Sequence, residues 1–218
     1  KYEGSAEQWN EAQSVMGKIL DHLNINYTIG VDEAAFYGPK LDLQIKNVYG
    51  KEDTLITIQI DMLLAQKFGM EYTDVDGQKK TPYIIHRTSM GCYERTLALL
   101  LEKYAGALPT WLMPTQVMIL PITDRSLEAC KAISDKLEKA GVRCETDDRS
   151  EKIGYKIREA QLAKTPYMLV IGDKEVEDGT VAVRNRVKGD MGVMGVEDFM
   201  SKILTEIATK AIDKIETV

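Results

Sequence analysis

The 218-residue chain has no apolar run approaching the length of a membrane span and no readable secretory leader, so neither membrane insertion nor export is expected. Its three cysteines, Cys92, Cys130 and Cys144, form no close-spaced pair. That argues against a disulfide framework or a zinc knuckle and makes reduced cytoplasm the expected location. Histidine is scarcer still, with His22 and His86 only. Zinc takes about three or four protein ligands, and no Cys or His stands at a spacing that would complete a site around either histidine. There is no internal repeat and no low-complexity tract. The chain starts at Lys1 without an initiator Met and is expected to be a fragment or a processed chain. A net charge of −6 is the wrong sign for a protein that coats nucleic acid nonspecifically, so DNA is not an expected partner.

What is present describes an ordinary globular protein, 44% hydrophobic and 28% charged, long enough for one large or two small domains. Ser5 with Gln8 forms a capping box, and Trp9, Ala12, Met16, Ile19 and Leu23 give the stripe of the helix that follows. Leu41–Ile45 and Ile56–Met62 alternate as strands. In the second, Ile56, Ile58, Ile60 and Met62 point one way, and Thr57, Gln59 and Asp61 the other, as the floor of a polar pocket would. Asp76-Gly77 is a hairpin turn that returns the chain into a strand with Ile84 and His86 on one face. The spacing predicts three or more antiparallel strands backed by helices over residues 28–105.

Pro109–Pro114 reads as a linker, after which the pattern changes. Strands at 116–122, 142–146, 167–171 and 181–183 alternate with helices carrying Leu127, Cys130, Ile133 and Leu137, then Ile153–Ala163. The last helix carries Phe199, Ile203, Ile207, Ala211 and Ile215. This predicts a mixed sheet with helices on both faces. The expected fold class is therefore α/β (α+β), with an antiparallel-sheet domain over 1–112 and an α/β/α domain over 113–218. Locally basic stretches, Arg149–Lys164 and Arg184–Lys188, leave room for RNA despite the overall charge.

The most informative stretch is Pro82–Leu101, a strand that stops abruptly and becomes a helix. Gly91 lies at the junction, where a missing side chain lets another molecule approach the backbone. Arg95 follows four residues later, on the same helical face. A cation near an open helix amino end suits an anion such as phosphate. The alternative is an amphipathic helix whose Arg95 pairs with Glu94 or Glu102.

His86-Arg87, Gly91-Cys-Tyr-Glu-Arg95, Ala105-Gly106 and Pro109-Thr-Trp-Leu-Met-Pro114 resemble motif 3 of class II aminoacyl-tRNA synthetases, most closely the threonyl-tRNA synthetases. The likeness extends through Ala35-Phe-Tyr-Gly-Pro-Lys40. It also takes in Glu151–Arg158, Pro166–Glu175 and Val181–Arg184, which look like the anticodon-binding domain of class IIa. The resemblance implies ATP-dependent, Mg2+-assisted formation of threonyl adenylate and transfer of threonine to tRNA(Thr) by a homodimeric parent.

It also implies roles. Arg95 would lie over ATP, with Gly91 and Cys92 beside the nucleotide. Tyr37 and Gln59 would line the threonine pocket, with Lys40 there and near the tRNA acceptor end. His86 would be one of three zinc ligands, in a site that chelates threonine and rejects valine. Lys152, Glu175 and Arg184 would read the anticodon. Motifs 1 and 2 and the other two zinc ligands are not in this chain. No complete cofactor site and no aminoacylation are therefore expected of it alone.

Departures fall at Asp53-Thr54, where relatives carry Trp-Gln, at Cys92 for Ser, at Met62, Ala65 and Lys67, and at Ser150 for Asn. Two other readings are weaker. A noncatalytic RNA-binding accessory protein would be expected to lose Tyr37, Gln59, His86 and Arg95. A doubly wound nucleotide-binding enzyme would need a Gly-rich turn where this chain has Thr123-Asp-Arg-Ser126.

Overall fold

Helix α1 (Ala6–His22) starts where the capping box predicts. Ser5 Oγ accepts the Gln8 N–H at 3.3 Å, and Gln8 Oε1 accepts the Ser5 N–H at 2.9 Å. The computed structural model describes residues 2–212, and the chain divides into two compact units, Lys1–Leu99 and Leu100–Val218. After α1 the first unit continues with β1 (Lys40–Lys46), β2 (Glu52–Asp61), α2 (Leu64–Lys67), β3 (Tyr72–Thr73), β4 (Lys79–Lys80) and β5 (Ile84–Arg87). Helix α3 (Tyr93–Lys103) crosses the division in sequence.

Strands β1, β2 and β5 form an antiparallel sheet with β2 in the middle. Strands β3 and β4 pair with each other. The Asp76-Gly77 turn, with Gly77 at φ +75°, thus closes a separate hairpin and does not feed β5 directly as expected. Pro82, which has no N–H to give a ladder, separates the two. Apolar side chains remain open here: Ile85 is 66% and Leu97 52% exposed, and α3 buries no residue.

The second unit contains β6 (Val117–Pro121), α4 (Leu127–Lys139), β7 (Cys144–Thr146), α5 (Ile153–Leu162), β8 (Tyr167–Ile171), α6 (Asp173–Asp178), β9 (Thr180–Asn185), β10 (Gly189–Gly195) and α7 (Val196–Ala208). The sheet order is β10-β9-β8-β6-β7, with β6 parallel to β7 and β8, and β9 antiparallel to β8 and β10. The chain steps from β6 to one side and then back across it. Right-handed crossovers therefore put α4 and α5 on opposite faces. Packing agrees. Val117 and Ile119 meet Cys130 and Leu137 of α4 and Phe199 and Ile203 of α7, while Leu120 meets Ala160 of α5. Helix α7 ends at Ala208, short of Ala211, and Ile215 lies outside the described residues. Helix α6 and strand β10 are additions to the expected elements.

Pro109–Pro114 is no loose linker. Gln116, fully buried, donates to Thr110 O at 2.9 Å, and its Oε1 accepts the Arg143 N–H at 2.9 Å. The Arg143 guanidinium donates to Trp111 O at 3.0 Å, Met113 O at 2.8 Å and Pro114 O at 3.2 Å. Arg186 donates to Leu108 O and, at 2.9 Å, to Lys164 O. The strap is thus part of the second unit. Replacing Gln116 with Ala strands the buried Thr110 carbonyl and the part-buried Arg143 N–H, at a cost of about 1–3 kcal/mol. Urea denaturation followed by circular dichroism should show the lowered midpoint, and an unchanged midpoint would count against the strap.

Candidate functional site

Residues 37–39 extend the sheet beside β2, with the Met62 N–H donating to Tyr37 O at 2.9 Å and the Ile60 N–H to Pro39 O at 3.0 Å. Gly38 permits this, since a Cβ there would stand 1.7 Å from Ile60 O. The Tyr37 hydroxyl consequently reaches β2 and donates to Gln59 Oε1 at 2.9 Å. In the ladder Lys40 faces Gln59, and Gln59 faces His86. Cross-strand partners project from the same face, so three of the expected site residues form one row. The Tyr37 and His86 rings meet edge to face at 6.3 Å and 70°. Lys40 pairs with Asp42 at 2.5 Å, and Asp42 also accepts the Thr57 hydroxyl at 2.7 Å.

Asp61 joins this row. Its carboxylate is 2% exposed, with Oδ2 2.9 Å from His86 Nε2 and Oδ1 accepting the N–H groups of Leu63 at 2.8 Å and Leu64 at 2.9 Å. Burial pushes its pKa up, but the hydrogen bonds from His86, Leu64 and Leu63 outweigh it and hold the carboxyl below its ordinary value. Strand alternation puts Asp61 on the polar face. Nothing in the alternation says that this end of the face is closed.

The second cluster sits at the β5–α3 junction. Gly91, at φ +67°, precedes α3 and does not share its face with Arg95. What the missing side chain admits is the Leu55 carbonyl, 2.1 Å from where a Cβ would lie. Arg95 pairs with neither Glu94 nor Glu102 among the described residues, and its Nη1 donates to Thr54 O at 2.6 Å. The Cys92 thiol donates to Glu94 Oε2 at 2.8 Å and lowers that carboxyl's pKa. Asp53 and Thr54 are tied locally, to Asn47 Nδ2 at 2.9 Å and Gln44 Oε1 at 3.1 Å. Thr54 and Gln59 lie five residues apart on one strand. At about 3.3 Å per residue the two clusters stand about 16 Å apart along β2.

In the second unit Lys152 is the exposed N-cap residue of α5. Glu175 Oε2 accepts the Gly172 N–H at 2.9 Å, closing the start of α6. Arg184 Nη1 donates to Asp190 Oδ2 at 3.2 Å, and its Nε is buried with no hydrogen-bond partner among the described residues. No hydrogen bond or ion pair joins these three residues among the described residues.

The basic clusters are largely spent internally. Lys156 is 4% exposed and donates to Pro121 O at 3.2 Å and Asp147 O at 3.0 Å. Arg149 pairs with Asp147 at 2.7 Å, Lys164 donates to Ala105 O, and Arg186 holds the strap. Charge counting could not reveal this, because acceptors as distant in sequence as Pro121 are brought in by the fold.

Residues 2–104 match the tRNA synthetase class II core domain (G, H, P, S and T), and residues 116–206 match the anticodon binding domain family. A threonine–tRNA ligase of Clostridium perfringens (strain SM101 / Type A) is 58% identical over 96% of this chain and 33% of its own length. That of Listeria monocytogenes serovar 1/2a is 46% identical over 95% of the chain and 33% of its own. The chain therefore spans about a third of the length of the curated relatives it matches. A crystal structure of the RNA binding domain of threonyl-tRNA synthetase from Cryptosporidium parvum Iowa II superposes with a TM-score of 0.85. It shares 32% identity and covers 94% of this chain and 52% of that one. With a motif 3 junction in the first unit and an anticodon-binding domain in the second, the chain belongs to the class II aminoacyl-tRNA synthetases and corresponds to a C-terminal part of threonine–tRNA ligase.

Proposed function

We propose that this chain supplies one wall of the threonine and ATP pocket of a cytoplasmic threonine–tRNA ligase, together with the surface that binds the anticodon of tRNA(Thr). The observation that carries the reading is the Lys40–Gln59–His86 row with Tyr37 bonded to its centre. Amide, phenol and ammonium groups on one polar face suit a small zwitterion with a hydroxyl. Arg95, held to Thr54 O by one nitrogen, keeps other N–H donors for nucleotide phosphate, where Mg2+ would share the charge. Gly91 and Cys92 would flank the nucleotide.

His86 fits the part of a zinc ligand. Its Nε2 is taken by the buried Asp61 carboxylate, the outer partner that metal-bound imidazoles commonly have, and Nδ1 is left over. When bound, zinc would supply chelation of the threonine amino and hydroxyl groups. Among the described residues no three of His, Cys, Asp and Glu converge, so further ligands would lie beyond them. The open apolar surface at Ile85 and Leu97 suits a unit that is one part of a larger core, in a homodimeric parent. We expect the chain alone to catalyse no threonine-dependent pyrophosphate exchange.

In the second unit Lys152, Glu175 and Arg184 are the proposed anticodon contacts. Arg184→Ala should weaken binding to tRNA(Thr) by about 1–3 kcal/mol and narrow the preference over an anticodon-swapped tRNA. Lys156→Ala should leave the salt dependence of binding unchanged, because its ammonium is buried on two carbonyls and reaches no phosphate. It should instead lower the unit's stability by about 1–3 kcal/mol. Binding titrations across salt, with both tRNAs, give all of these quantities. Equal loss of both tRNAs in Arg184→Ala would make Arg184 a phosphate contact and remove its base-reading role.

A further inference from the structure

Asp61 and His86 are unequally placed: the carboxylate is 2% exposed, whereas the imidazole side chain keeps 43% of its surface open. Both oxygens of Asp61 are occupied. Oδ1 accepts the Leu63 and Leu64 N–H groups at 2.8 and 2.9 Å, and these two fixed donors turn Oδ2 onto His86 Nε2 at 2.9 Å. An ionised carboxylate can only accept, so the proton between the two groups belongs to Nε2. A neutral imidazole carries one proton, and Nδ1 is then a bare lone pair. Nδ1 has no hydrogen-bond partner among the described residues.

We propose that Asp61 is a positioning residue that fixes the Nε2–H tautomer and the ring orientation of His86, leaving Nδ1 as the electron-pair donor of the Lys40–Gln59–His86 row. The inference rests on the proposed function only for what Nδ1 serves, a metal ion or a substrate donor. The tautomer itself is a property of this chain. The Tyr37 ring, 6.3 Å from the imidazole and inclined to it at 70°, adds a second contact to the same ring. Leu63, the N-cap of α2, and Leu64, its first residue, both donate to the same carboxylate, so Asp61 couples the start of that helix to the state of the ring.

The test uses the whole chain labelled with 15N in histidine, above the pH at which imidazole titrates, with no metal, nucleotide or tRNA present. His22, exposed in the last turn of α1, is the internal reference for a free ring. His86 should show the Nε2–H tautomer alone while His22 shows the averaged mixture. In Asp61→Asn the amide oxygen keeps the two backbone N–H groups and the NH2 faces His86. Nε2 must then accept, and Nδ1–H should become the majority form.

A purely structural Asp61 would not move the proton to the other nitrogen. An averaged His86 in the unaltered chain, or an Asn variant with the tautomer unchanged, overturns the proposal. If Asp61→Asn does not fold, the spectrum of the unaltered chain still decides. Failure of the tRNA titration would leave these signals as they are, so failure of this inference and failure of the functional reading are separable.

Discussion

Two carbonyl groups of one strand govern the first unit. Ile60 O and Leu55 O of β2 are approached so closely, by Gly38 and Gly91, that a methyl group would overlap them at 1.7 and 2.1 Å. Neither contact tolerates a side chain, and each fixes a segment that carries site residues. Gly38 sets Tyr37 and Lys40 against the Gln59 end, and Gly91 sets Cys92 and Arg95 against the Thr54 end. Strand β2 is the shared post. The antiparallel register then adds His86 opposite Gln59. The separation of the two clusters follows from counting residues along β2, with no loop needed to set it.

This constraint explains which parts of the site were legible in sequence. Alternation from Ile56 to Met62 gave the polar face directly, because a strand offers only two faces. The capping box gave α1, and alternating β and α patterns gave the second unit's helices on both faces of its sheet. Gly91 was legible as a place of close approach, but not that its own chain's Leu55 carbonyl is a group brought there. Sequence spacing carries no information about which strand passes overhead. The same gap hid the fate of Lys156 and Arg186, whose acceptors Pro121 and Leu108 lie far along the chain. It also hid the Gln116 and Arg143 bonds that turn a Pro-flanked linker into a strap. Tyr37, Gln59 and His86 came from family likeness, and their meeting in one row from the fold.

The two units differ in how they are stabilised. The second closes a core on both faces of its sheet, with Tyr167 and Phe199 edge to face at 5.5 Å and 75°. Burial raises the Cys130 thiol there to about 11, in keeping with a packing role for that residue. The first unit relies on ladder bonds, glycine contacts and the Asp61 carboxylate, while apolar side chains such as Ile85 stay open.

Strand β2 is pinned by contacts admitting no side chain, and amide hydrogen exchange along it tests that pinning. Gly38→Ala, Gly91→Ala and Gly77→Ala form the comparison. Gly77 shares the left-handed φ of Gly91 but has nothing within 4 Å of its Cβ position, so it reports backbone strain alone, about 1–2 kcal/mol. Gly38→Ala and Gly91→Ala should strip protection from Leu55 to Asp61, while Gly77→Ala leaves β2 protected and exchange in the second unit is unchanged throughout. Protection of β2 retained in Gly38→Ala, at the level of Gly77→Ala, would contradict it.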